Sequence, residues 1–121
     1  MSEIKNIDFE VYFKRQIDLW GLEKQKSLQD KKIAIVGAGG LGSSLAYALG
    51  SIGIGKIFII DFDYIAVHNI HRQISFFIND VDNLKAIIGA ERQKNRSPFS
   101  EIIPFVGSFD DFIVVIYDYF A

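Results

Sequence analysis

The stretch Val36-Gly37-Ala38-Gly39-Gly40-Leu41-Gly42 constrains this chain more than any other. It follows the apolar run Ile33-Ala34-Ile35-Val36 and precedes Leu41 to Ile52, a segment rich in Ala, Leu and Ser without proline that Gly53 and Gly55 end. Four apolar residues bounded by lysines and glycines predict a strand buried on both faces. The segment after the glycines predicts a helix whose N-terminus faces the turn. Lys56 to Asp61 (KIFIID) reads as a second apolar strand. Strand, helix and strand within about thirty residues require a right-handed parallel crossover, which is half of a doubly wound sheet.

Around this unit the pattern is mostly helical. Phe9, Tyr12, Phe13, Ile17 and Trp20 step by threes and fours, Gly21 breaks the pattern, and Leu22 to Leu28 form a second short helix. Residues 1–30 are therefore expected to be a helical segment ahead of a nucleotide-binding domain over 31–121. Residues 62–80 read as irregular, Asp82 to Lys94 as a helix despite Gly89, and Glu101 to Val106 as a strand whose Pro104 marks an edge or an end. The last stretch is ambiguous from its residues. Ile113 to Ile116 favours strand by β-branching, while Ser108 followed by Asp110 and Asp111 looks like a helix start. The fold class predicted is α/β: a Rossmann-like, doubly wound, mainly parallel sheet in three layers, with N-terminal helices, incomplete at its C-terminus.

Composition narrows the function classes. With 121 residues and a net charge of −2 there is no basic stripe interleaved with aromatics, so no nucleic-acid partner is expected. The absence of cysteine excludes a thiolate nucleophile, disulfides and thiolate zinc sites within these residues. The polar start MSEIKNIDFE is no signal peptide, and the longest apolar runs fall short of the roughly 20 residues of a membrane span. A cytoplasmic protein without a membrane partner is expected.

Gly37, Gly39, Gly40 and Gly42 satisfy G-x-G-x-x-G in the strand–turn–helix setting where backbone N–H groups and the helix dipole favour phosphate. Asp61, at the end of the second strand, can accept ribose hydroxyls. Asp63 has no such role in a plain dinucleotide site. Then come Asn69, Arg72 and Gln73 in HNIHRQ, and Lys85 on the next helix. Arg72 and Lys85 could neutralise a triphosphate while Asn69 hydrogen-bonds to it. His68 and His71 have helical spacing, but no third ligand stands near them in sequence, so no metal site is expected there.

RQI…LWG, VGAGGLG, IIDFD, HNIHRQ and a helix lysine occur here in the order and spacing of the ThiF/MoeB family, and residues 12–121 resemble its adenylating domains. The resemblance implies ATP-dependent adenylation of the C-terminal glycine of a small ubiquitin-like sulfur-carrier protein ending in Gly-Gly. Pyrophosphate is released, with ATP and Mg²⁺ as cofactors. By matching position it places Gly40 against the phosphates, Asp61 on the ribose, and Asn69, Arg72 and Lys85 on the triphosphate. It also implies a homodimer in which Arg15 reaches the triphosphate of the neighbouring subunit. The fourth strand ending in D-x-x-D-N, whose second aspartate helps hold Mg²⁺, is not found. Tyr117 to Ala121 resembles the start of that strand, which makes Ser108 to Val115 the short helix before it and the chain an incomplete fragment. Two other readings stay open: an NAD(P)-dependent oxidoreductase fragment, and a non-catalytic nucleotide-binding module.

Overall fold

A computed structural model describes residues 6–120, the last four by their backbone alone. Among these residues the sheet has three parallel strands in the order β1-β2-β3: β1 (Lys32–Val36), β2 (Lys56–Asp61) and β3 (Glu101–Val106). The helices are α1 (Phe9–Tyr12), α2 (Lys14–Trp20), α3 (Leu22–Leu28), α4 (Gly40–Ile52), α5 (Lys85–Lys94) and α6 (Phe109–Phe120). The expected Rossmann-like α/β fold is the one observed.

Strand alternation sorts the sheet into two faces. Ile35, Ile57, Ile59 and Ile102 point to the face covered by α4 and α5, where they form the main core with Ala46, Ala90, Ile65 and Phe76. Phe58 and Phe105 point to the other face and meet Phe112 of α6 at ring-centroid distances of 5.2 and 5.4 Å. The N-terminal helices pack at the C-terminal end of α4. Gln16 Nε2 donates to the Ser51 carbonyl (3.2 Å), Gln25 Nε2 to that of Ile52 (2.8 Å), and Gln29 Nε2 to that of Gly53 (2.8 Å). Gly53 ends α4 in the left-handed conformation, as its place in the sequence predicts.

Several expectations are corrected. β1 is an outer strand of the described sheet and is not buried on both faces: Ala34 is exposed and Val36 is 58% exposed. The first helix is interrupted at Phe13, whose ring is fully buried against Phe9, Tyr12 and Phe99, and this burial sets the backbone there. α5 begins at Lys85 and not at Asp82, because Asp82 has φ 74° and its amide donates to the Ile65 carbonyl, while Leu84 bridges to Tyr64. Residues 62–80 hold two single 3₁₀ turns, Val67–Asn69 and Ile78–Asp80.

The C-terminal stretch is one helix to Phe120, so Tyr117 to Phe120 do not begin a strand; Ala121 lies outside the described residues. The Ser108 hydroxyl accepts from the Asp111 amide (3.2 Å), and the Asp111 carboxylate accepts from the Ser108 amide (3.1 Å) and hydroxyl (2.9 Å). This reciprocal cap starts the helix against the β-branched composition, and it holds the Asp111 carboxyl below its usual range. Pro104 sits on β3, an outer strand as its sequence suggests.

Candidate functional site at the glycine turn

The turn between β1 and α4 is possible only with glycine at two of its positions. Gly37 has φ 99°, and a Cβ on Gly42 would overlap the Gly37 carbonyl. The Gly37 amide still donates to the Ile60 carbonyl of β2 (2.7 Å), so the chain leaves the sheet only after this residue. α4 then starts at Gly40 with no side-chain cap, leaving its first N–H groups to point out of the helix end.

Asp61 holds this turn to the rest of the site. Its Oδ2 accepts from the Ala38 amide (2.7 Å) and its Oδ1 from the Asp63 amide (2.7 Å). A carboxylate has about four acceptor positions, so two remain for a ligand's hydroxyls. The carbonyl of Asp63 in turn accepts from the Lys85 amide (3.0 Å), which fixes the first residue of α5 beside the end of β2. A hollow of about 230 Å³ opens at the C-terminal ends of the strands between Gly37, Asp61, Asp63 and Gly107, where open parallel sheets bind ligands. A larger cleft of about 410 Å³ runs from Gly37, Gly39 and Gly40 along the outer edge of β1.

The loop after β2 folds back over the glycines. The Arg72 carbonyl lies 3.4 Å from where a Gly40 Cβ would stand, and the Gln73 side chain 3.3 Å from that of Gly39. Asn69 is buried; its Oδ1 accepts from the Ala66 amide (2.9 Å) and its carbonyl from the amides of Arg72 (3.2 Å) and Gln73 (3.0 Å). Asn69 therefore shapes the loop that delivers Arg72 and Gln73. Gln73 is buried as well, and its Oε1 has no hydrogen-bond partner among the described residues.

Two cations of the loop and α5 have no counter-ion among the described residues. Lys85 is 8% exposed and, among the described residues, makes no ion pair; neither does the exposed Arg72. The structure thus gathers Gly37, Gly39, Gly40, Gly42, Asp61, Asp63, the Gln73 side chain and the Arg72 carbonyl at one turn, while Asn69 shapes the loop and Lys85 is tied by its amide to Asp63. It does not bring Arg15 there. That residue is exposed on α2, at the opposite end of α4. His68 and His71 are exposed on the loop.

One pair escapes reading by motif. Arg92 of α5 forks onto the buried carboxylate of Asp80, Nη1 to Oδ2 and Nη2 to Oδ1, both 2.8 Å. The fork holds the Asp80 carboxyl below its usual range and raises the Arg92 guanidinium. The only sequence signal is an acid near the loop's end and an arginine on the following helix.

Comparison with known proteins settles the family. The model of the ThiF family matches residues 13–117. The chain belongs to the ThiF family. A probable molybdopterin-synthase adenylyltransferase of Porphyra purpurea is 45% identical over 77 residues, 64% of this chain and 20% of that protein. The sulfur carrier protein adenylyltransferase of Thermus thermophilus is 32% identical over 82 residues, 68% of this chain and 30% of that protein. The E. coli tRNA N6-threonylcarbamoyladenosine dehydratase in complex with ATP superimposes with TM-score 0.78 and 31% identity, over 88% of this chain and 44% of that one. The chain thus spans less than half the length of these relatives. Among the described residues no helix is long and apolar enough to cross a membrane.

Proposed function

We propose that this ThiF-family chain binds ATP at the glycine turn and forms the nucleotide half of an adenylyltransferase for the C-terminal glycine of a small ubiquitin-like sulfur-carrier protein ending in Gly-Gly. The observation that carries the reading is Lys85, a residue 8% exposed whose ammonium makes no ion pair among the described residues and whose backbone amide donates to the Asp63 carbonyl beside the end of β2. A cation left without a counter-ion is open to an anionic ligand, and the anion that also suits a glycine turn and Arg72 is a polyphosphate. Gln73, whose side chain lies beside Gly39, leaves its Oε1 as an acceptor unpartnered among the described residues, which suits a hydroxyl or amino donor of a nucleoside and not a phosphate oxygen.

In this reading Gly39 and Gly40 let the phosphates approach the N-terminus of α4, and Asp61 holds the ribose with its two remaining acceptor positions. Asn69 orients the loop, and Arg72 with Lys85 faces the departing pyrophosphate. A carboxylate oxygen of the carrier's terminal glycine attacks the α-phosphorus. The bond from that phosphorus to the bridging oxygen breaks, and pyrophosphate carries the electron pair away. Charge grows on the leaving group, and fixed cations in a partly dry site stabilise it by about 3 kcal/mol each. Mg²⁺ bound to the triphosphate would share that charge. Arg15, remote from the turn of its own chain, serves the turn of a second copy in a homodimer.

Calorimetric titration with Mg-ATP and with NAD tests the proposal. Tighter binding of ATP is expected; tighter binding of NAD would overturn it in favour of a dehydrogenase-like module.

A further inference from the structure

Two parts of the site come from different elements: Arg72 and Gln73 from the loop between β2 and α5, and Lys85 from α5 itself. The base of the loop is fastened to the start of α5. The Ile65 amide donates to the Asn83 carbonyl (2.8 Å), the Asp82 amide to the Ile65 carbonyl (2.9 Å) and the Lys85 amide to the Asp63 carbonyl (3.0 Å). The far part of the loop has a separate fastening, and it is Arg92. Besides its fork on Asp80, Arg92 Nη1 donates to the Ser75 carbonyl (3.1 Å), and the guanidinium lies 5.1 Å from the ring centroid of Phe77. Asp80 Oδ2 also accepts from the Phe77 amide (2.7 Å). Ser75 follows closely on Arg72 and Gln73, and the Phe76 amide donates to the Gln73 carbonyl (3.1 Å).

Lys85 and Arg92 stand two turns apart on α5, a spacing of about seven residues that puts them on one face of the helix. One rigid helix therefore carries Lys85 at one end and grips the arginine-bearing loop with the other. A buried ion pair is a poor source of stability compared with well-packed apolar residues, but a planar fork fixes direction as an apolar contact does not. Resting on the ATP reading above, we propose that Arg92 and Asp80 are positioning residues for the triphosphate: their fork sets where Arg72 and Gln73 lie relative to Lys85 and the glycine turn. They act through those residues and touch no ligand themselves.

The test is calorimetric titration of Arg92→Lys and Asp80→Asn with Mg-ATP and, separately, with adenosine, which lacks the groups that the loop would hold. Arg92→Lys keeps the charge but loses the fork, and it carries the test if Asp80→Asn does not fold. ATP affinity is expected to fall by about 10- to 100-fold, as small misplacements in a site do. Adenosine affinity is expected to stay unchanged, and hydrogen exchange at the amides of 72–76 to quicken while that of α4 does not. Arg96→Lys, which alters a cation stacked 5.0 Å from the Tyr47 ring centroid and not the fork, is expected to change none of these. Equal losses of ATP and adenosine, or no loss in Arg92→Lys while the wild type binds ATP, would overturn the positioning role alone. A wild type that binds no ATP would overturn the nucleotide reading and this proposal with it.

Discussion

Lys85 separates function from stability within one side chain. Its stem packs within the fold, the residue being 8% exposed, while its ammonium makes no ion pair among the described residues and is left for a ligand. Lys85→Met keeps most of the volume and removes the charge. The variant is expected to keep a thermal midpoint close to that of the wild type and to bind ATP at least about tenfold more weakly. Loss of stability in the melt would show that the ammonium already has a partner in the folded chain. Asp61 works in the opposite sense. Its bonds to the Ala38 and Asp63 amides make it part of the turn's architecture, so its removal damages fold and site together.

At the scale of the element, β1 and the loop before α5 make separable predictions. The Gly37 amide donates to β2, so by strand alternation the Ile35 amide also faces β2 while the Ala34 amide points outward. Ala34→Pro therefore removes no hydrogen bond of the described sheet and is expected to fold with a small change in urea midpoint. Ile35→Pro breaks the ladder and is expected to cost about 3 kcal/mol or more. An equal response to both would show that the outer edge of β1 is paired in solution. The loop's fork predicts acid lability. The Asp80 carboxyl is depressed in the fold, first by the hydrogen bond from Arg92, so its contribution is complete above the ordinary carboxylate value near 4 and is lost as pH falls through the lower folded value. Asp80→Asn is expected to flatten that acid limb in urea titrations at pH 6 and pH 3; an unchanged slope would show the fork to be absent in solution.

For the molecule as a whole, the two ends of α4 are the relevant geography. Its 13 residues span about 20 Å. The glycine turn lies at one end, while the helix carrying Arg15 packs at the other through Gln16 and the Ser51 carbonyl. Arg15 cannot serve the turn of its own chain, which is why the proposed role requires a second copy. Arg15→Ala is expected to weaken ATP binding only at protein concentrations where sedimentation shows dimer, and to match the wild type where both are monomeric. A loss that persists in the monomer would contradict the proposed trans contact.

The sequence alone determined what depends on a few neighbouring residues. Gly37 and Gly42 dictate the turn because one requires a left-handed φ and the other leaves no room for a Cβ. The apolar runs around Ile35 and Ile59 dictate strands, and Gly53 ends α4 in the left-handed conformation. Asp61 was visible as the acid closing the second strand, and Asn69, Arg72, Gln73 and Lys85 through the order of their motifs. Tertiary structure decided the rest, because it rests on groups that meet only after the chain has folded back. FIVVIY is helical because Ser108 and Asp111 cap it and Phe112 packs on Phe58 and Phe105, which outweighs β-propensity. β1 is half exposed because nothing in the described sheet lies beyond it, a property of strand order that no local pattern encodes. Asp80 and Arg92 pair across a loop whose path is set by bonds from Ile65, Asp63 and Asn69, so neither charge announces its partner in the sequence.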